Sequence, residues 1–241
     1  MKVLTLKEGN FSVNKEKEFV FLDESSKGIK MSIQPFLVVT ENENILLDAG
    51  LGWMENHQPK IVANLSEHGI KPSQIDKILL SHLHKDHISG LVNTSAGEWT
   101  LNFPDAEIYI QKREYEFALS KKGSLSFDFK ILDFIIKNAK IIWMNDDSGS
   151  VSDEITFQVT GGHSPFHQVF WVKNENETYF YGADNLPQAA YLKYHLAYKT
   201  DFDGKTAKDQ RIEWEILAKK EHWKVLFIMI WANLFWNFNF S

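Results

Sequence analysis

Residues 81–90 read SHLHKDHISG and contain three of the nine histidines in the chain. They directly follow the run Ile75–Leu80, which predicts a buried strand, so the histidines lie where that strand ends. Side chains alternate along an extended segment, which places the first two histidines on one side. Imidazole and carboxylate donors gathered in this way suit zinc, iron or manganese in a catalytic site. The four candidate ligands are His82, His84, Asp86 and His87.

The composition limits the kind of site that this motif can form. The chain has 241 residues and no cysteine, which excludes disulfides, cysteine nucleophiles and thiolate metal ligands. Any transition-metal site must therefore use His, Asp and Glu. Asp plus Glu number 32 and Lys plus Arg number 26, and the resulting charge of −6 disfavours a nucleic-acid partner bound through its phosphates.

Two further segments end predicted strands with residues that could join such a site. His163 follows Gly161 and Gly162, and glycines there let the backbone bend and bring the imidazole to a metal. Asp184 follows another predicted strand through a Gly-Ala pair. Each segment alone also has a plainer interpretation, because a Gly-Gly-His turn is often only a turn and the aspartate could cap a helix before Pro187.

Predicted strands and helices alternate along the chain. Apolar faces predict helices over Pro59–His68 and over Lys205–Glu221, the second with Ile212, Ile216 and Leu217 on one side and charges on the other. This alternation predicts sheets covered by helices. Runs of β-branched and aromatic residues predict strands at Phe19–Leu22, Phe36–Thr40, Ile45–Asp48, Ile75–Leu80, Ile108–Gln111, Ile141–Met144, Ile155–Val159, Gln168–Val172 and Thr178–Tyr181.

In this order the motifs resemble those of the metallo-β-lactamase superfamily of metal-dependent hydrolases. The order is an L-D-x-G turn at 47–50, H-x-H-x-D-H-x-x-G at 82–90, a G-H turn at 162–163 and a strand-end G-x-D at 182–184. The resemblance covers nearly the whole chain. It implies an α/β fold, the αββα four-layer sandwich of two mixed β-sheets, with the metals at one edge.

The resemblance also implies a role for each matching residue. Two zinc ions are the expected cofactors. Asp48 would orient ligands through hydrogen bonds, and His167 would lie near the site, where a structural role is equally open. The ligands of the first metal would be His82, His84 and His163. Those of the second would be Asp86 and His87, with Asp184 bridging the two ions.

The all-His/Asp site is similar to those of the lactonase, esterase and glyoxalase-II-like branches. We therefore expect a metal-bound hydroxide to attack an ester, lactone or thioester, since metals lower the pKa of bound water. Asp86 could also act catalytically by passing a proton to the leaving group. Tyr191 and Tyr194 lie just after Asp184 and could line the substrate pocket, although plain packing is an equal alternative.

One family ligand has no counterpart, and this concerns the end of the chain. The family normally carries another histidine after its last apolar strand, but Val225–Ser241 contains neither a histidine nor a charged residue. His222 precedes the strand and is out of register. We therefore divide the chain into a hydrolase domain, residues 1–227, and an atypical aromatic tail, residues 228–241.

The genetic code suggests one explanation of this tail. Reading from the third base of the Phe227 codon, Met229 and Ile230 together must give Asp, and Ile228 gives His if its codon is AUC. A shifted Tyr-His-Asp would restore the missing ligand. We hypothesise that loss of one U produced the tail, and the alternative is a genuine tail with a diverged ligand. A codon other than AUC at Ile228 would exclude the frameshift.

Two other functions remain open. A mononuclear iron enzyme resembling the persulfide dioxygenases would need only His82, His163 and Asp184. An inactive product lacking the last metal ligand is the second. The start of the chain does not read as a signal peptide and the apolar tail is too short and too polar to span a bilayer, so we expect a cytoplasmic protein. Its partners would be a small-molecule substrate, no nucleic acid and no membrane, with a homodimer left open.

Overall fold

The computed structural model describes residues 1–23, 26–27, 29–95, 97–229 and, for the backbone only, 236–237. Its internal contacts divide the chain into a first unit, Met1–Met144, and a second unit, Asn145–Ser241. The predicted boundary at 227/228 stays a prediction, because most of the predicted tail lies outside the described residues.

The described residues of the first unit form mainly strands, with four α-helices between them. The helices are α1 (Lys60–Glu67), α2 (Lys85–Ile88), α3 (Lys112–Ser120) and α4 (Phe129–Asn138). The strands are β1 (Lys2–Thr5), β2 (Gly9–Val13), β3 (Phe19–Phe21), β4 (Ile29–Ile33), β5 (Phe36–Val39), β6 (Asn44–Leu47), β7 (Met54–Glu55), β8 (Gln58–Pro59), β9 (Lys77–Leu79), β10 (Val92–Asn93), β11 (Thr100–Leu101), β12 (Glu107–Gln111) and β13 (Lys140–Met144).

A six-stranded mixed sheet in the order β1-β5-β6-β9-β12-β13 is the centre of the first unit. The pairs from β1 to β6 are antiparallel, and those from β6 to β13 are parallel. Parallel neighbours end at the same edge of a sheet, so the segments that follow β6 and β9 emerge side by side. This register places Asp48 next to the histidine motif.

Helices cover this sheet with apolar faces. Helix α1 buries Ile61 and Leu65, which join a core with Leu46 and Ile78. Helix α4 is capped by Asp128, whose carboxylate accepts hydrogen bonds from the backbone N–H groups of residues 130 and 131 at 3.0 and 3.1 Å. This cap satisfies two otherwise unpaired donors at the helix start.

As far as the second unit is described, it contains a second six-stranded sheet and two α-helices. The sheet has the order β14-β15-β16-β17-β18-β19, antiparallel except for β17 and β18. Its buried core includes Phe180, Trp214 and Trp223. The elements are β14 (Ser148–Ser150), β15 (Ile155–Val159), β16 (Gln168–Lys173), β17 (Thr178–Tyr181), α5 (Ala189–Tyr194), α6 (Gly204–Glu221), β18 (Lys224–Leu226) and β19 (Trp236–Asn237).

The strand and helix predictions agree with the structure at most positions, with one error in helix α6. Its fully buried face contains Ala207, Arg211, Trp214 and Ala218, whereas Ile216 is 62% exposed. The intervals of four, three and four residues place those four side chains on one stripe. The buried face of the helix therefore contains Trp214, and it is not the apolar side that was predicted to contain Ile216.

Candidate metal centre

The histidine motif lies on a short loop that runs into helix α2. Strand β9 ends at Leu79, and helix α2 begins at Lys85, so that Asp86 is its second residue. His82 and His87 are buried, His84 is half-buried, and Asp86 is 9% exposed. The loop therefore holds the motif inside the protein, where side chains have few alternative positions.

The four motif side chains converge within the first unit. The rings of His82 and His87 have centroids 4.1 Å apart, and those of His82 and His84 are 4.5 Å apart. One ligand atom from each of the latter two lies within 4.8 Å of the other. Asp86 Oδ2 is 3.8 Å from His87 Nε2. This is the spacing expected of donors that can share metal ions.

A buried carboxylate beside the motif holds two of its histidines in orientation. Asp48 Oδ2 is 2.7 Å from His87 Nδ1 and accepts a hydrogen bond from Ser81 Oγ at 2.7 Å. Asp48 Oδ1 accepts the Ser81 backbone N–H, also at 2.7 Å. Because the single hydroxyl proton of Ser81 goes to Asp48, Ser81 Oγ accepts from His82 Nδ1, 3.0 Å away. Both imidazoles therefore keep the Nε2 lone pair for a metal.

Glu8 supports the turn that carries Asp48, and the sequence analysis missed it. Its buried carboxylate accepts hydrogen bonds from the backbone N–H of Leu51 at 2.6 Å and of Trp53 at 3.1 Å. Burial raises the pKa of Glu8 to about 8, outweighing the backbone donors that favour the charged form. Gly50 has a φ of +78°, and a Cβ there would collide with this carboxylate.

In the second unit, the turn after β15 carries His163 as the glycines predicted. Gly161 and Gly162 have φ values of +63° and +92°, a conformation that favours glycine. A Cβ on Gly162 would lie 2.6 Å from Asn185 Oδ1. That same oxygen accepts the His163 backbone N–H at 2.7 Å, and Asn185 Nδ2 donates to the Gly161 carbonyl at 2.6 Å.

The His163 imidazole lies between two carboxylates. Its Nε2 is 3.3 Å from Asp184 Oδ2, and its Nδ1 is 2.8 Å from Asp201 Oδ1. Asp184 follows β17 in a single turn of 3₁₀-helix and is 9% exposed. The Asp201 side chain is 5% exposed. Sequence analysis missed Asp201 because it belongs to no motif and lies 38 residues after the histidine.

The remaining predicted residues take different positions. His167 is fully buried, with its ring centroid 6.2 Å from that of His163. Tyr191 is stacked on Tyr198 at 5.1 Å, and burial raises the pKa of the Tyr191 phenol. Tyr194, in contrast, is 60% exposed. These positions leave the substrate-binding roles of both tyrosines as predictions.

The segment where the family's last histidine is expected is buried and apolar. Phe227 and Ile228 are fully buried, and Met229 is 7% exposed. The Met229 backbone N–H donates to the Pro187 carbonyl at 3.0 Å, which places the segment beside the turn that follows Asp184. No side chain at 227–229 offers a metal ligand of the expected type. Residues 230–235 and 238–241 lie outside the described part of the chain.

With this geometry in view, the relationship of the chain to known proteins is clear. The sequence pattern of the metallo-β-lactamase superfamily matches residues 31–221. The chain therefore belongs to the metallo-β-lactamase superfamily, and the predicted fold is confirmed.

Relatives in sequence share part of the chain. An N-acyl homoserine lactonase, AttM, from Azorhizobium caulinodans is 28% identical over 117 residues, which are 46% of this chain and 41% of that protein. AttM from Agrobacterium fabrum is 29% identical over 113 residues, 45% of this chain and 40% of that protein. The match thus spans about two fifths of these relatives.

Solved structures share the fold over most of the chain. A probable metal-dependent hydrolase from Staphylococcus aureus has a TM-score of 0.77 at 18% identity, covering 97% of this chain and 91% of that one. AidC, a dizinc quorum-quenching lactonase, has a TM-score of 0.70 at 24% identity, covering 88% and 81%. Among the described residues, no helix is long and apolar enough to cross a membrane.

Proposed function

We propose that this protein is a metal-dependent hydrolase that cleaves an ester, lactone or thioester and binds two metal ions, with zinc as the first choice. The observation that carries the proposal is a repeated arrangement. In each unit a histidine is held at Nδ1 by a buried aspartate, while its Nε2 faces a second carboxylate. Such an arrangement is typical of metal-binding histidines.

The donor set fits zinc, because imidazole nitrogens and carboxylate oxygens are its usual ligands in catalytic sites. We assign the ligands from the family pattern and from the pairs that converge within each unit. The first ion would be held by His82, His84 and His163. The second would be held by Asp86 and His87, with Asp184 shared by both.

The second ion should bind more weakly than the first. The family's last histidine has no counterpart among residues 227–229, where Ile228 is fully buried. A frameshift at the end of the gene remains our hypothesis for this loss, and the nucleotide sequence at the Ile228 codon tests it directly.

The protein side chains have distinct tasks in hydrolysis. A bound metal would supply a nucleophile at neutral pH and would polarise the substrate carbonyl. Asp48 and Ser81 orient the imidazole rings of His82 and His87. This orientation would fix where the metal lies and therefore where the substrate reacts. Asp86, at the start of helix α2, would transfer a proton to the leaving group. Tyr191 would contact the substrate from the side of Asp184.

A lactone is the first substrate to test. The two AttM proteins are named N-acyl homoserine lactonases, and the match over about two fifths of each supports the same reaction class here. We propose a small molecule as substrate, without a nucleic-acid or membrane partner, and a cytoplasmic location.

Metal content measured beside activity tests the proposal. We expect up to two zinc ions per chain and hydrolysis of a lactone or ester in a panel that also contains a phosphodiester. The His82→Ala variant should lose both metal and activity, whereas His68→Ala, at an exposed position, should keep them. A wild-type chain that folds, binds no metal and cleaves none of these substrates would refute the function.

One observation favours the alternative of a mononuclear iron enzyme. The three residues that it requires are His82, His163 and Asp184, and none of them depends on the missing ligand. One iron per chain and oxygen consumption with a persulfide would support this alternative. An inactive product remains the third possibility, and it predicts less than one metal per chain.

A further inference from the structure

The loop before helix α6 is attached to the turn that carries His163. The backbone N–H of Phe202 donates to the His163 carbonyl at 3.1 Å, and that of Asp203 donates to the Gly162 carbonyl at 2.8 Å. Asp201 directly precedes these two residues, and its Oδ1 is 2.8 Å from His163 Nδ1. The loop therefore contacts the histidine through both its backbone and its side chain.

This contact determines which imidazole nitrogen can bind a metal. A carboxylate can only accept a hydrogen bond, and the 2.8 Å contact of Nδ1 with Asp201 is shorter than the 3.3 Å contact of Nε2 with Asp184, so Nδ1 carries the proton in the neutral ring. The lone pair then lies on Nε2, the nitrogen 3.3 Å from Asp184 Oδ2. A carboxylate partner also increases the basicity of the ring and fixes its rotation.

The surrounding residues keep this carboxylate in place. The Asp201 backbone N–H donates to the Tyr198 carbonyl at 3.4 Å, closing a turn in the loop. The buried guanidinium of Arg211 interacts electrostatically with Asp201 and donates to the Asn185 carbonyl at 2.6 Å. Asn185 in turn holds the His163 backbone N–H. Helix α6 thus supports the loop, the asparagine and the histidine together.

We propose that Asp201 is a positioning residue for the metal site: it holds His163 in the tautomer and rotation that present Nε2 to the metal. This inference rests on the proposed function, in which His163 is a ligand. Neither the family motifs nor the sequence pattern predicted this residue.

Two measurements on Asp201→Asn and Asp201→Leu test the proposal, with Asp203→Asn as the matched control. Asp203 is exposed, and its side chain caps helix α6 by accepting a hydrogen bond from the Thr206 backbone N–H at 3.0 Å. Zinc affinity, measured by chelator competition, should fall about 10- to 100-fold for Asp201→Leu, less for Asp201→Asn, and little for Asp203→Asn.

The second measurement needs no metal. Nitrogen-15 NMR of the histidines in the metal-free wild type should show His163 protonated at Nδ1, and this preference should be lost in Asp201→Leu. Thermal unfolding shows whether each variant is folded. Unchanged zinc affinity and an unchanged tautomer in a folded Asp201→Leu variant would overturn the positioning role. A wild type that binds no zinc but shows the tautomer shift would refute the proposed function and leave the hydrogen bond established.

Discussion

The two units hold a histidine between carboxylates in the same way but support it differently. In the first unit, Asp48 is fully buried and accepts hydrogen bonds from the Ser81 backbone N–H, the Ser81 hydroxyl and the His87 ring. In the second unit, Asp201 accepts one from His163, and among the described residues its Oδ2 has no hydrogen-bond partner. The first carboxylate is part of the core, whereas the second depends on a loop held by backbone contacts.

Because of this difference, we expect the site around His87 in the first unit to tolerate substitution of its supporting carboxylate least. Asp48→Ala leaves the Ser81 backbone N–H and the His87 ring without their buried partner. We expect a loss of about 3 kcal/mol in the free energy of unfolding, because each unpaired buried group costs roughly 1–3 kcal/mol. Urea unfolding measures the change. Asp76→Ala is the control, since Asp76 is exposed and accepts one hydrogen bond at Asn44 N. Equal stabilities for the two variants would contradict the comparison.

The stability of the second unit should depend on the contacts of helix α6. Arg211 is fully buried and donates to the carbonyls of Asn185 and Leu196. Arg211→Met keeps most of the side-chain volume but removes these donors, so we expect a loss of about 2 kcal/mol in unfolding free energy. Chemical denaturation beside Lys205→Met, an exposed position on the same helix, provides the measurement. A larger loss of unfolding free energy for Arg211→Met than for Asp48→Ala would contradict the expectation that the first unit tolerates change least.

Glu8 should make the stability of the first unit depend on pH. Its pKa is about 8 in the folded protein and near 4.5 when exposed, because burial disfavours the charged carboxylate. The folded state keeps a proton that the unfolded chain releases, so stability falls as pH rises from about 4.5 to about 8. One proton corresponds to about 1.4 kcal/mol per pH unit within this window. Glu8→Gln should flatten the curve of unfolding free energy against pH, and a slope equal to that of the wild type would contradict this assignment.

The smallest expected change tests the missing ligand in the second unit. Ile228→His places an imidazole where the family's last histidine is expected, so zinc content should rise towards two per chain. Zinc affinity of the weaker ion should increase about tenfold, about 1.4 kcal/mol by the usual relation of affinity to free energy. Ile228→Gln is the control of similar size. If both variants bind the same amount of zinc as the wild type, this position does not complete the site.

The candidate ligands could be predicted because they lie in short motifs at strand ends. His82 to His87 follow one strand, His163 follows a Gly-Gly pair, and Asp184 follows another strand. Strand positions followed from runs of β-branched and aromatic residues, with ends shifted by one or two residues. Helix α6 was placed correctly but its buried face was not, since Trp214 is buried and Ile216 is exposed.

The supporting residues could not be found in this way. Glu8 lies 43 residues before Leu51, and Asp201 lies 38 residues after His163, so no local pattern connects either acid to its partner. A buried acid in a sequence looks like any surface acid until the fold removes its water. Arg211 resembles an ordinary charged residue of an amphipathic helix for the same reason.

By itself, the sequence determined the kind of chemistry that this protein can support: clustered His and Asp without cysteine, in the order of one superfamily. Only the tertiary structure decided which nitrogen of His87 and of His163 is turned away from its buried aspartate, because that depends on a carboxylate brought from a distant part of the chain. Asp48 and Asp201 occupy those positions through sheet register and loop contacts. Short-range patterns specify which residues can act, and long-range packing sets their orientation and protonation.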